Sequence, residues 1–117
     1  MHIQIQTQDF PLTEELREHV HRRLSYALNH GSERLSRVVV RLADVNGPRG
    51  GLDKRCSIEL RLKGAQALTI EDTEARMGVA IDRAAERAGR TLDRRLARRR
   101  QISSLSFDDR LALHAAE

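Results

Sequence analysis

The stretch from Cys56 to Lys63 constrains the fold most tightly. Cys56, Ile58, Leu60 and Leu62 alternate with Ser57, Glu59, Arg61 and Lys63. Successive side chains of a strand point to opposite faces, so this is a strand with one apolar and one polar face. Such a strand belongs in a sheet that is covered on one side only. Three further segments share the period. Ile3, Ile5 and Thr7 alternate with Gln4, Gln6 and Gln8; Leu35 to Val45 sets Val38, Val40 and Leu42 against Val39, Arg41 and Ala43; Ala65 to Glu71 turns Leu68 and Ile70 inward.

Two segments switch to helical spacing. After the break at Phe10-Pro11-Leu12, Thr13 is a good N-cap, with Glu14 and Glu15 in the first turn, where the helix dipole favours anions. Leu16, Val20, Leu24, Ala27 and Leu28 form its apolar stripe, and His30-Gly31 is expected to end it with Gly31 in the left-handed conformation. Asp72 or Thr73 is expected to cap a second helix reaching about Arg99, with Met77, Ile81, Ala84, Ala85, Ala88, Leu92 and Leu96 as its stripe. Gly89 lies beside that stripe and suits close packing.

The order is therefore β-α-β-β-β-α. The strand-helix-strand unit crosses over and sets its strands parallel, and the later short turns give antiparallel pairs. The expected fold is α+β: a four-stranded mixed sheet with two helices packed on one face and a polar, exposed face on the other. A chain of 117 residues suits one such domain, placed here at residues 1–100, with 101–117 expected to be a short, weakly structured tail.

Little in the sequence points to catalysis. Cys56 is the only cysteine, so no internal disulfide forms, and its place on an apolar strand face marks it as a packed thiol. His2, His19, His21, His30 and His114 make no metal constellation; His19 and His21 project about 200° apart on a helix. The loop Asn46-Gly47-Pro48-Arg49-Gly50-Gly51 lacks the Gly-Lys-Ser/Thr ending of a phosphate-binding P-loop, and Asp44 and Asp53 beside it read as turn residues. The expectation is no enzyme, cofactor, metal or small-molecule substrate. With no signal-like N-terminus and no apolar run near the ~20 residues that span a bilayer, a cytoplasmic protein without a membrane partner is expected.

The charge is placed more tellingly. Opposite the second apolar stripe lie Arg83, Arg87, Arg90, Arg94 and Arg98, thickened by Arg95, Arg99 and Arg100. From Arg83 to Arg100 the only acids are Glu86 and Asp93, leaving a formal +6. A few cations would satisfy the helix dipole; eight in eighteen residues repel one another, which points to an external polyanion. Aromatics make up only 3%, with Tyr26 the sole tyrosine, so stacking on single-stranded bases is not expected. Structured RNA, held through its phosphates, fits better. The glycines of the 46–51 loop, with Arg49, Lys54 and Arg55 close by, offer a second candidate surface.

Leu12-Thr13-Glu14-Glu15-Leu16-Arg17-Glu18-His19-Val20 resembles the first-helix opening of the ribosome hibernation-promoting factor and ribosome-associated inhibitor family, once described as sigma-54 modulation proteins. Ala80-Ile81-Asp82, followed by Glu86-Arg87-Ala88-Gly89-Arg90-Thr91-Leu92, resembles its second-helix signature. The resemblance covers about residues 1–100 and the short form of the family. It implies a monomeric β-α-β-β-β-α domain that binds the small ribosomal subunit between head and body. There it occupies the messenger and transfer RNA channel, inhibits translation and protects idle ribosomes under stress or in stationary phase. The family's basic second-helix positions match Arg83, Arg87, Arg90, Arg94 and Arg95; Arg98, Arg22, Arg23, Arg49 and Lys54 join them as expected contacts to ribosomal RNA. The chain departs from the pattern at Glu74-Ala75-Arg76-Met77, where the family often carries an Asp and an aromatic residue, and in its long Gly-rich loop. The residues after Arg100 are too few for the extra domain by which long members pair ribosomes. The other functions weighed are an interaction protein modulating a transcription regulator, and a generic binder of structured RNA.

Overall fold

The alternating segments assemble into one four-stranded sheet in the order β1-β2-β3-β4. The computed structural model describes residues 2–9, 11–45 and 53–104, with side chains described as far as residue 98. The strands are β1 (Ile3–Gln8), β2 (Leu35–Asp44), β3 (Lys54–Leu62) and β4 (Leu68–Glu74), and the helices are α1 (Glu14–Ala27) and α2 (Met77–Ser104). β1 and β2 run parallel across the α1 crossover, whereas β2-β3 and β3-β4 are antiparallel. The α+β, β-α-β-β-β-α architecture is thus as the sequence indicates.

Register explains why one face is apolar. Ile5, Val40, Ile58 and Ile70 form one row across all four strands, and Ile3, Val38, Leu60 and Leu68 form the next. Both helices cover these rows, with Val20, Leu24, Ile81, Ala84, Ala88 and Leu92 fully buried against them. Thr13 caps α1 as expected, its Oγ1 accepting from the Leu16 amide at 3.2 Å. Contacts between the helices advance together along both chains, His19 with Asp82, Ala27 with Gly89 and Gly31 with Leu92, so α1 and α2 run parallel. A Cβ on Gly89 would lie 2.6 Å from the Ala27 carbonyl oxygen, so only glycine permits this crossing.

Several expectations need correction. Helix α2 is not capped by Asp72 or Thr73, because β4 spans Leu68–Glu74 and not 65–71. Its ladder with β3 continues through Arg55↔Thr73 to Lys54↔Glu74. Helix α2 runs on to Ser104, so residues 101–104 are helical where a weakly structured tail was expected; residues 105–117 lie outside the described residues. Gly31 does not end α1 in the left-handed region. The helix stops at Ala27, and Gly31 sits buried inside a 3-10 turn, Asn29–Arg34, where a Cβ would lie 2.6 Å from Leu96 and 2.7 Å from Leu92. Its role is therefore space. The open sheet face is not uniformly polar and exposed either, because the apolar Val39 and Ala43 lie buried on it and the polar Ser57 is buried as well.

Candidate nucleic-acid interface

Helix α2 turns by about 100° per residue, so positions 83, 87, 90, 94 and 98 fall within about 80° of one another. The opposite side carries Met77, Ile81, Ala84, Ala85, Ala88 and Leu92, which pack on β3, β4 and α1. Burial of that stripe fixes the helix rotation and leaves all five arginines exposed. Arg95 is half-buried at the margin of the row. The α2 acids Asp82, Glu86 and Asp93 all lie on the other flank, toward α1.

What decides whether the row is available is how its guanidinium groups are paired. Arg83 Nε lies 3.8 Å from Glu74 Oε2, beyond hydrogen-bond range. Glu74 is itself engaged by Asp72, and that hydrogen bond holds its carboxyl above the ordinary carboxylate range against the pull of Arg83. Arg87 Nη1 donates to the Glu71 carbonyl oxygen on β4 at 2.6 Å, which fixes the side chain without neutralising it. Arg90 Nη1 lies 2.8 Å from Glu86 Oε1, but both side chains are more than 60% exposed. An exposed i,i+4 pair of this kind contributes about 0.3–0.5 kcal/mol, little enough to be exchanged for a phosphate. Arg94 only reaches the Thr91 hydroxyl, at 3.4 Å. The row thus survives folding as a positive strip along the side of α2 next to β4. Arg76 extends it by one turn, ahead of the first residue of α2, where the helix dipole disfavours a cation. Sequence reading did not include Arg76, although its place seven residues before Arg83 is the signal that could have found it.

The other expected contacts are distributed differently. Arg22 is exposed on the outer side of α1 and has no acidic partner among the described residues. Arg23 Nε lies 3.0 Å from Asp82 Oδ1, the same oxygen that His19 Nε2 approaches to 2.7 Å. That geometry makes an ion pair and not a hydrogen bond for the arginine. Asp82 thus ties α1 to α2 and separates Arg22 and Arg23 from the α2 row. Lys54 is held between Asp44 Oδ2 and Asp53 Oδ1, each at 3.1 Å, and Asp44 followed by Asp53 raises its pKa. Two carboxylates surround that one ammonium, so it offers no net positive charge. Asp44 and Asp53 are therefore ion-pair partners that tether the ends of β2 and β3, beyond their expected part as turn residues. Arg49 lies outside the described residues, as do the glycines of its loop.

A second set of cations stands on the open sheet face, where the alternation puts Arg37 and Arg41 of β2 and Arg55 and Arg61 of β3. Glu59 takes a hydrogen bond from Arg61 at 2.5 Å, which holds its carboxyl below the usual range, and Arg41 contacts the same carboxylate loosely at 3.9 Å. Among the described residues no group of histidine, cysteine and acidic side chains is arranged to hold a metal, and no helix is long and apolar enough to cross a membrane.

Comparison with known proteins agrees with this architecture. Residues 3–100 match the family described as sigma 54 modulation protein / S30EA ribosomal protein. A ribosomal subunit interface protein from Coxiella burnetii superimposes with a TM-score of 0.71 at 20% identity, covering 83% of this chain and 99% of that one. The N-terminal domain of Protein Y from Thermus thermophilus gives 0.67 at 24% identity, covering 80% and 98%. At these identities the two structures speak for the fold alone. No curated protein sequence matches the chain significantly.

Proposed function

This chain belongs to the sigma 54 modulation protein / S30EA ribosomal protein family, and from that premise we propose that it is a ribosome-associated factor that silences translation. Its α2 arginine row docks on the phosphates of small-subunit ribosomal RNA, in the channel that messenger and transfer RNA would otherwise occupy. The domain acts there as a cytoplasmic monomer during stress or stationary phase. The observation that carries this reading is the availability of the row. Arg83, Arg87, Arg90, Arg94 and Arg98 are all exposed; the carboxylate contact of Arg83 is long, that of Arg90 is solvent-exposed, and Arg87 and Arg94 bond to uncharged oxygens. Arg95 and Arg98 extend the contact toward the C-terminal end of the helix, and Arg22 supplies a contact from α1. The description of the family, S30EA ribosomal protein, agrees with a ribosomal partner.

Co-sedimentation with purified small subunits across a salt series tests the proposal. The five arginines of the row alone should contribute about −4 to −5 to the log–log salt slope. Replacing Arg87, Arg90 and Arg94 by Glu should abolish binding while the far-ultraviolet circular dichroism and melting remain those of a folded domain. Undiminished co-sedimentation of that variant would rule the row out as the docking surface.

A further inference from the structure

We infer a second phosphodiester-binding surface on the open sheet face, formed by Arg41 and Arg55 across a groove floored by Ala43 and Ser57. Register builds this groove. Arg41 pairs with Ser57 and Ala43 with Arg55 across β2 and β3, so each arginine faces a small residue and the two cations stand on a diagonal. Diagonal positions on neighbouring strands are about 7–8 Å apart, a spacing that lets two guanidinium forks share one phosphate or grip successive ones. The small side chains leave a trough of about 520 Å³, with Gln6 and Gln8 on one wall and Thr69 and Glu71 on the other.

The charges on this face are not explained by the fold. Arg37 lies directly opposite Arg61, and like charges in that position destabilise a sheet. Arg55 and Arg37 have no acidic partner among the described residues. Four arginines stand against Glu59 and Glu71, and no acid points outward from β1 or β2 on this face. Arginine forks over a polar floor, flanked by amides and hydroxyls, suit a phosphate backbone. No aromatic residue stands on this face among the described residues, which argues against a base-stacking platform. The surface lies on the layer opposite α2, so the domain can hold RNA on both sides, and the inference stands independently of the helix row.

The test uses the full chain with Arg87, Arg90 and Arg94 replaced by Gln, so that the row is weakened without reversing its field. A fluorescent twelve-base-pair RNA duplex is titrated at several salt concentrations. Residual, salt-sensitive binding is expected. Adding Arg41→Gln and Arg55→Gln should weaken it roughly tenfold or more and reduce the log–log slope by about two, one for each lost phosphate contact. Ala43→Met, which fills the trough at unchanged charge, should also weaken binding, with thermal melting confirming the fold of each variant. No residual binding in the Gln background, or affinity and slope indifferent to Arg41 and Arg55, would overturn the inference. So would equal competition by polyglutamate, which indicates an acidic protein partner, or by inorganic phosphate at matched phosphate concentration, which indicates an isolated anion pocket.

Discussion

Gly89→Ala should destabilise this protein even though it improves the helix. In an open helix interior the substitution gains about 1 kcal/mol, because alanine loses less backbone entropy than glycine. Here the new Cβ would stand 2.6 Å from the Ala27 carbonyl oxygen and 3.3 Å from the Ala27 Cβ. The obstructing oxygen belongs to the backbone of the last turn of α1 and cannot rotate aside as a side chain would. The parallel helices must therefore separate where Ala88 and Leu92 are fully buried. Overpacking of a tight core costs about 1–3 kcal/mol, and an immovable backbone atom places this site in the upper part of that range. The net expectation is a loss of about 1–2 kcal/mol, or roughly 4–8 °C in Tm for a domain of this size. Gly78→Ala supplies the control on the same helix: no heavy atom lies within 4 Å of its Cβ position, so the propensity gain stands unopposed. That gain is about 0.5 kcal/mol so near the helix start, a rise of roughly 2 °C. Thermal and urea melts of both variants read the two signs. If Gly89→Ala raises Tm as Gly78→Ala does, the close crossing of α1 and α2 is refuted.

Two further outcomes follow from the geometry. Burial pushes the Cys56 thiol up to about 12, with a smaller push from Asp72, so the native thiol should react with a disulfide reagent at pH 8 only as fast as the protein unfolds. Because the folded pKa is raised, this group's contribution to stability is complete below the unfolded thiol's pKa of about 8.5 and is lost as pH climbs toward 12; a Cys56→Ala variant should lack that part of the alkaline decline. Arg94→Glu should raise the urea midpoint slightly, by about 0.5–1 kcal/mol of stability, since it turns two repulsive i,i+4 pairs into attractive ones with Arg90 and Arg98. The same variant should weaken ribosome co-sedimentation, and a drop in both quantities would contradict the charge argument.

How much was legible in the sequence depended on whether a feature was local. The four strands and the Thr13 cap could be read from period and residue type, because each rests on neighbours within a turn or two; the packing role of Gly89 was legible only as a small residue beside the apolar stripe, and its partner Ala27 was not. The start of α2 could not. Asp72-Thr73 has the composition of a helix cap, but β3 offers Thr73 and Glu74 ladder partners in Arg55 and Lys54, and the ladder wins. Gly31 followed the habit of helix-ending glycines, yet what constrains it is Leu92 and Leu96, some sixty residues away. The arginine row of α2 was legible for the same reason as the strands: it is a period. The fate of Lys54 was not, because Asp44 comes opposite it only through the register of β2 and β3. The checkerboard of Arg41, Ser57, Ala43 and Arg55 stayed hidden for that reason too. Each strand's alternation was visible, but which residue faces which is a property of the pair.

Helix α2 also shows why its charge calls for an explanation outside the fold. A helix stabilised by its own ion pairs interleaves acids and bases four residues apart. On this row only Arg90 has an acid four residues before it, Glu86, and that pair is largely solvent-exposed. Arg87 follows Arg83, Arg94 follows Arg90 and Arg98 follows Arg94 at the same interval, and each like-charge step costs a few tenths of a kcal/mol. Acids are available on the helix, but Asp82, Glu86 and Asp93 sit on the flank toward α1, where Asp82 engages His19 and Arg23. The sequence thus keeps its negative charge on the side that joins the helices and accepts repulsion of about 1 kcal/mol along the exposed side. Folding alone gives no return for that arrangement, whereas a surface of ordered phosphates does.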